Sequence, residues 1–103
     1  MILQNNTKKM LLMIYDVMYD EEVIKALSQC PVAGFSKWNK LLGKGQKSDP
    51  KMDDAVWPGY NCAVIIEIDT SNENIIYDTL QSLYKFMGNK GLKVYGWPIE
   101  QII

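Results

Sequence analysis

Met10-Leu11-Leu12-Met13-Ile14-Tyr15 is an unbroken apolar run of strand length, and it constrains this chain more than any other segment. It falls far short of the roughly 20 residues that a membrane-spanning helix needs. A strand apolar on both sides must be covered on both faces, so the run reads as the central strand of a sheet. Periodicity alone leaves a buried helix open as the other reading.

The flanking segments supply the rest of a fold. Asp20 is placed to cap a helix, with Glu21 and Glu22 in its first turn and Val23, Ile24 and Leu27 on one face. Pro31 ends that helix, because the residue before a proline is pushed out of the α region. Phe35 to Leu42 reads as a second strand, with Phe35, Trp38 and Leu41 as its bulky members. Tyr60 to Asp69 reads as a third. Tyr60, Cys62, Val64, Ile66 and Ile68 take one side, while Ala63 and Ile65 share the other with Asn61, Glu67 and Asp69. Thr70-Ser71-Asn72-Glu73 has the form of a capping box. Ile76, Leu80, Leu83 and Met87 then follow at helical spacing, and Gly88 is a good stop. Leu92 to Trp97 is a fourth strand, closed by Pro98, and Ile99 to Ile103 is a short apolar tail.

The order β-α-β-β-α-β predicts an α+β, ferredoxin-like sandwich: a four-stranded antiparallel sheet with two helices on one face. At 103 residues it is one domain. Residues 1–9 are expected to form a flexible N-terminal tail and residues 10–103 the domain, with a long loop at about 43–59. Two helices cover only one face of such a sheet. The strands offer no clean polar second face, and Trp38, Trp57, Trp97 and Tyr60 add more aromatic surface than one small core absorbs. The second face therefore implies self-association. Cover by the folded-back long loop is the other reading.

Composition narrows the chemistry. Lys+Arg is 11 and Asp+Glu is 12, a net charge of −1, which fits a dedicated nucleic-acid binder poorly. There is no His, so imidazole general-base chemistry, nucleophilic triads and His-ligated metal sites are excluded. There is no Arg either, so forked guanidinium recognition of phosphate is missing. The adjacent pairs Asp53/Asp54 and Glu21/Glu22 diverge and suit solvated or capping positions. An enzyme is not expected. Cys30 and Cys62 have no metal-binding spacing and read as small buried thiols in a reducing cytoplasm.

Two turns could hold an anion. Gly43-Lys44-Gly45-Gln46-Lys47 is glycine-rich and lysine-flanked, and Lys37, Lys40 and Lys51 lie close by in sequence. Gly88-Asn89-Lys90-Gly91 joins the second helix to the fourth strand. Glycines let backbone N–H groups converge on an anion, and lysine adds a point charge. Trp57-Pro58-Gly59-Tyr60-Asn61 is expected to anchor the long loop, with Trp57 plugging the core edge; lining a ligand cleft or subunit contact is the other role considered.

From Met10 to Ile103 the chain resembles the PII nitrogen-regulatory signalling superfamily. Gly34-Phe35-Ser36 is similar to the Gly-x-Ser/Thr element that opens the family's second strand. Gly43-Lys44-Gly45-Gln46-Lys47 is similar to the base of its long regulatory loop, with one residue missing. Gly88-Asn89-Lys90-Gly91 is similar to its phosphate-gripping turn, and Val94-Tyr95-Gly96-Trp97-Pro98-Ile99-Glu100 to its closing strand. The loop-base arginine and the C-terminal arginines of the family are absent, which marks a divergent PII-like branch.

The resemblance implies a cytoplasmic homotrimer whose sheets face inward. It implies no cofactor, but an adenine-nucleotide effector bound in the clefts between subunits. The residues implied in ligand binding are Gly34, Phe35, Ser36, Gly43, Lys44, Gly45, Gln46, Lys47, Gly88, Lys90 and Gly91. It further implies a mobile loop that reports to a partner, a membrane transporter or metabolic enzyme; from the charge balance, no nucleic-acid partner is expected. The alternative is a trimeric metal-handling or structural protein like the CutA cation-tolerance family.

Overall fold

The computed structural model describes residues 3–4, 7–32, 34–46 and 49–103. Alternating burial along the chain builds the sheet. β1 is Leu3–Gln4, β2 is Lys8–Asp16, β3 is Phe35–Leu41, β4 is Asn61–Asp69, β5 is Leu92–Pro98 and β6 is Gln101–Ile102. The helices are α1, Asp20–Ser28, and α2, Glu73–Phe86. The main sheet runs β3-β4-β2-β5, and every pairing in it is antiparallel. This is the ferredoxin-like β-α-β-β-α-β arrangement, with the apolar run at its centre. β1 and β6 pair as a separate antiparallel ribbon.

One face of the sheet carries the core. Leu11, Met13 and Tyr15 of β2 and Cys62, Val64, Ile66 and Ile68 of β4 are buried against Val23 and Leu27 of α1 and Ile76, Leu80 and Leu83 of α2. Strand register fixes the other face, because directly opposed residues of an antiparallel pair point the same way. Leu12 faces Ile65 on one side and Tyr95 on the other; Met10 faces Trp97; Ala63 faces both Ile14 and Trp38. The face opposite the helices is therefore aliphatic at its centre and aromatic at its margins. Trp38, Tyr95 and Trp97 are 49%, 48% and 41% exposed on it.

Three local expectations give way to tertiary contacts. The first strand of the sheet starts at Lys8, ahead of Met10, because Lys8 pairs with Asp69 and Lys9 with Ile68. Asp20 does not cap α1. A 3-10 turn over Val17–Tyr19 precedes the helix, and it is Asp16 that accepts from the Met18 amide, at 2.7 Å. The Thr70–Glu73 capping box does not form either. Residues 70–72 make a second 3-10 turn, and Glu73 accepts from the Lys9 ammonium at 2.5 Å instead. An ion pair between β2 and the start of α2 thus replaces a local cap.

Candidate functional site

The expected binding residues fall on three segments, and register places them. Gly34, Phe35 and Ser36 open β3, where Phe35 pairs with Ile66 and Ser36 with Ile65. All three are exposed. Gly43 follows the end of β3 and is tied to Lys51 by backbone hydrogen bonds in both directions, at 2.9 and 2.6 Å. Lys44, Gly45 and Gln46 are exposed beyond it, and the Lys44 ammonium donates to the Gly45 carbonyl at 3.1 Å. Lys47 lies outside the described residues.

Gly88, Lys90 and Gly91 form the turn between α2 and β5. The Asn89 amide donates to the Tyr84 carbonyl at 2.9 Å, which closes the helix. Gly88, Asn89 and Gly91 have φ of 77°, 59° and 80°. Left-handed backbone at both ends of this turn is a conformation that glycine adopts without strain. Lys90 is exposed between them.

The loop-base turn and the Gly88–Gly91 turn stand at the same end of the sheet. Leu41 pairs with Asn61, Asn61 with Asp16, and Leu92 with Tyr15. They leave from opposite edges, however. β3 and β5 are three inter-strand steps apart, roughly 14 Å at the usual strand spacing. One protomer therefore does not join them into one pocket. Surface grooves among the described residues lie elsewhere. One of about 380 Å³ lies between α2 and β5, lined by Tyr77, Leu80, Tyr84 and Val94 among others. A broader one of about 800 Å³ lies beside α1 and includes Asp20, Lys25 and Lys37. Neither is lined by any of the expected binding residues.

The lysines grouped by sequence around the loop are mostly engaged by acids. Lys37 donates to Asp20 at 2.6 Å, Lys40 to Asp53 at 2.5 Å and Lys51 to Asp16 at 2.5 Å. Sequence reading set Asp53 against these lysines but missed Asp20 and Asp16, because those carboxylates come from other segments. Asp20 also accepts from the hydroxyl of Tyr15 at 2.6 Å. Burial first, and that hydrogen bond second, push the Tyr15 hydroxyl well above the ordinary tyrosine range. Burial opposes charge on Asp16 and Asp20, yet the hydrogen bonds they accept from Lys51 and Lys37 hold both carboxyls below the usual carboxylate range. Burial pushes the Cys62 thiol up.

Trp57 is not the expected core plug. It stands 39% exposed in a compact turn, where its amide donates to Asp54 at 2.6 Å and its carbonyl accepts from the amides of Met52 and Asp54. Asp54, read from sequence as solvated or capping, organises this turn and presents Val56, 74% exposed, at its tip. Among the described residues no group of three His, Cys, Asp or Glu side chains is placed to hold a metal ion. No described helix is long and apolar enough to cross a membrane.

No protein-family model and no curated protein matches the chain. Solved structures do. CPII from Thiomonas intermedia K12, a nitrogen regulatory PII-like protein solved with ADP and bicarbonate, is 17% identical and superposes with a TM-score of 0.75, covering 99% of this chain and 91% of that one. A DUF3240 family protein from Shewanella baltica OS155 is 14% identical with a TM-score of 0.70, covering 92% of each chain. A candidate PII-like signalling protein from Thermus thermophilus is 12% identical with a TM-score of 0.63, covering 99% of this chain and 92% of that one. The likeness is one of fold: over nearly its whole length this chain folds as the PII-like proteins do.

Proposed function

We propose that this chain is a regulatory protein, not an enzyme, which senses a small anionic effector in clefts between the subunits of a homotrimer. The effector we infer is an adenine nucleotide. The observation that supports this most is the separation of the two glycine-lysine turns onto opposite edges of one sheet. Each is half of an anion site, and a neighbouring copy is what would bring a β3-edge half against a β5-edge half. The apolar face formed by Leu12, Ile65, Trp38, Tyr95 and Trp97 gives the copies a reason to associate. CPII, with the same fold, was solved with ADP and bicarbonate.

In this reading Gly34, Phe35, Ser36, Gly43, Lys44, Gly45, Gln46 and Lys47 of one subunit face Gly88, Lys90 and Gly91 of the next. Glycine amides and lysine ammonium groups would take the phosphates, as they can without arginine. The loop at 43–59 reports occupancy to a partner protein, a membrane transporter or metabolic enzyme, in the cytoplasm. Calorimetric titration with AMP, ADP and ATP tests the reading. Binding with Kd below about 1 mM, or about −4 kcal/mol, is expected for at least one of them. Failure of all three to reach that affinity overturns it.

A further inference from the structure

Two ion pairs tie the loop where it rejoins the sheet. The Lys51 ammonium donates to Asp16 at 2.5 Å and to the Asn61 side-chain oxygen at 3.2 Å. The Lys40 ammonium donates to Asp53 at 2.5 Å and lies 5.0 Å from the centre of the Tyr60 ring. Tyr60 and Asn61 are neighbours in the chain, and each ammonium is matched by a carboxylate of the same chain.

The two pairs are not equal. The Lys51 and Asp16 side chains are 24% and 22% exposed, against 54% and 41% for Lys40 and Asp53. Exposed pairs contribute little, because water screens them and both side chains lose freedom. The Lys51 pair is drier and its partners are already fixed. The second oxygen of Asp16 is held by the Met18 amide, and the backbone of Lys51 is held by Gly43.

We propose that Lys51 is a latch. Closed on Asp16 and Asn61, it straps residues 49–59 to the rim of the sheet, and a phosphate-bearing anion opens it by drawing the ammonium away from Asp16. The opening step rests on the reading of the chain as a sensor of an anionic effector. A phosphate group carries more negative charge than a carboxylate and offers three acceptor oxygens, so it competes well for an ammonium. Asp16 is then an internal stand-in for the effector, and it keeps the loop fastened while the effector is absent.

Amide hydrogen exchange reads the latch directly. The amides of Lys51, Met52, Asp53 and Asp54 all donate to loop carbonyls in the closed form. Lys51→Met keeps the aliphatic stem and removes the charge. It should speed exchange of these four amides at least tenfold while β2 and α2 stay protected. Asp16→Asn should move the same amides in the same direction, and rates unchanged in both variants overturn the latch. Inorganic pyrophosphate added to the wild-type protein should speed the same amides saturably and leave the Lys51→Met rates where they are; wild-type rates indifferent to pyrophosphate overturn the opening step. ADP calorimetry separates this from the nucleotide reading. A pyrophosphate response without ADP binding keeps the latch and sinks the nucleotide site, and ADP binding with unmoved loop amides does the reverse.

Discussion

The hydroxyl of Tyr77 on α2 lies directly over Gly96 on β5: a Cβ built at Gly96 would sit 3.1 Å from that oxygen and 2.9 Å from Cδ2 of the buried Leu11. The closeness of helix and strand here depends on the missing side chain. Gly96→Ala should lower stability by about 1–3 kcal/mol, the usual cost of overpacking a close contact. Urea unfolding checks this. Adding Tyr77→Phe, which removes the oxygen, should recover part of the loss; no recovery would place the strain at Leu11 alone.

Tyr15 is buried near the end of the central strand β2, and its hydroxyl donates a hydrogen bond to Asp20. Tyr15→Phe should cost about 1–2 kcal/mol, since a bond to a charged acceptor is lost while the ring still fills its space. Asp20 keeps Lys37, so a larger loss in urea unfolding would mean that the hydroxyl organises more than this one contact.

Acid should weaken the fold through Asp16 and Asp20. Both carboxyls ionise more easily in the folded chain than at their ordinary value of 3.8. Their contribution is complete above about pH 4 and is lost as pH falls through the lower folded values, where the unfolded chain binds more protons. Asp20→Asn should be less stable than wild type at pH 6 and should decline less steeply between pH 4 and pH 2. Parallel curves for the two proteins would exclude Asp20 as a source of the acid sensitivity.

Self-association should follow from the second face of the sheet. Light scattering at micromolar concentration should give three times the 11.8 kDa of one chain. Leu12→Glu places a charge between Ile65 and Tyr95 on that face and should yield monomers with unchanged secondary structure by circular dichroism. A wild-type mass of a single chain would remove the shared clefts from the proposed function.

Lys90→Ala should weaken ADP binding by tenfold or more in calorimetry while the assembled mass stays the same. Its ammonium is exposed in a turn whose backbone is set by its glycine neighbours, so the fold has no need of it. Unchanged affinity would take Lys90 out of the site.

Order and facing were legible in the chain because they are local. The alternation in Asn61–Asp69 and the helical spacing of Ile76, Leu80 and Leu83 each span a few residues, and the structure keeps both. The binding segments were legible as glycine-lysine turns, but their distance from one another was not. That distance depends on which strands become edges.

What the sequence determined by itself was the four strands of the main sheet and the two helices, their order and the apolar side of each, since burial periodicity is written residue by residue; the β1–β6 ribbon was not legible in it. Only the tertiary structure decided which acid meets which lysine. Lys9 and Glu73 are 64 positions apart, Lys51 and Asp16 are 35 apart, and each pair exists because packing brings distant segments within hydrogen-bond reach. A charged side chain looks the same in sequence whether it caps a helix, faces water or ties down a loop, because its partner is chosen by the fold and not by its neighbours in the chain.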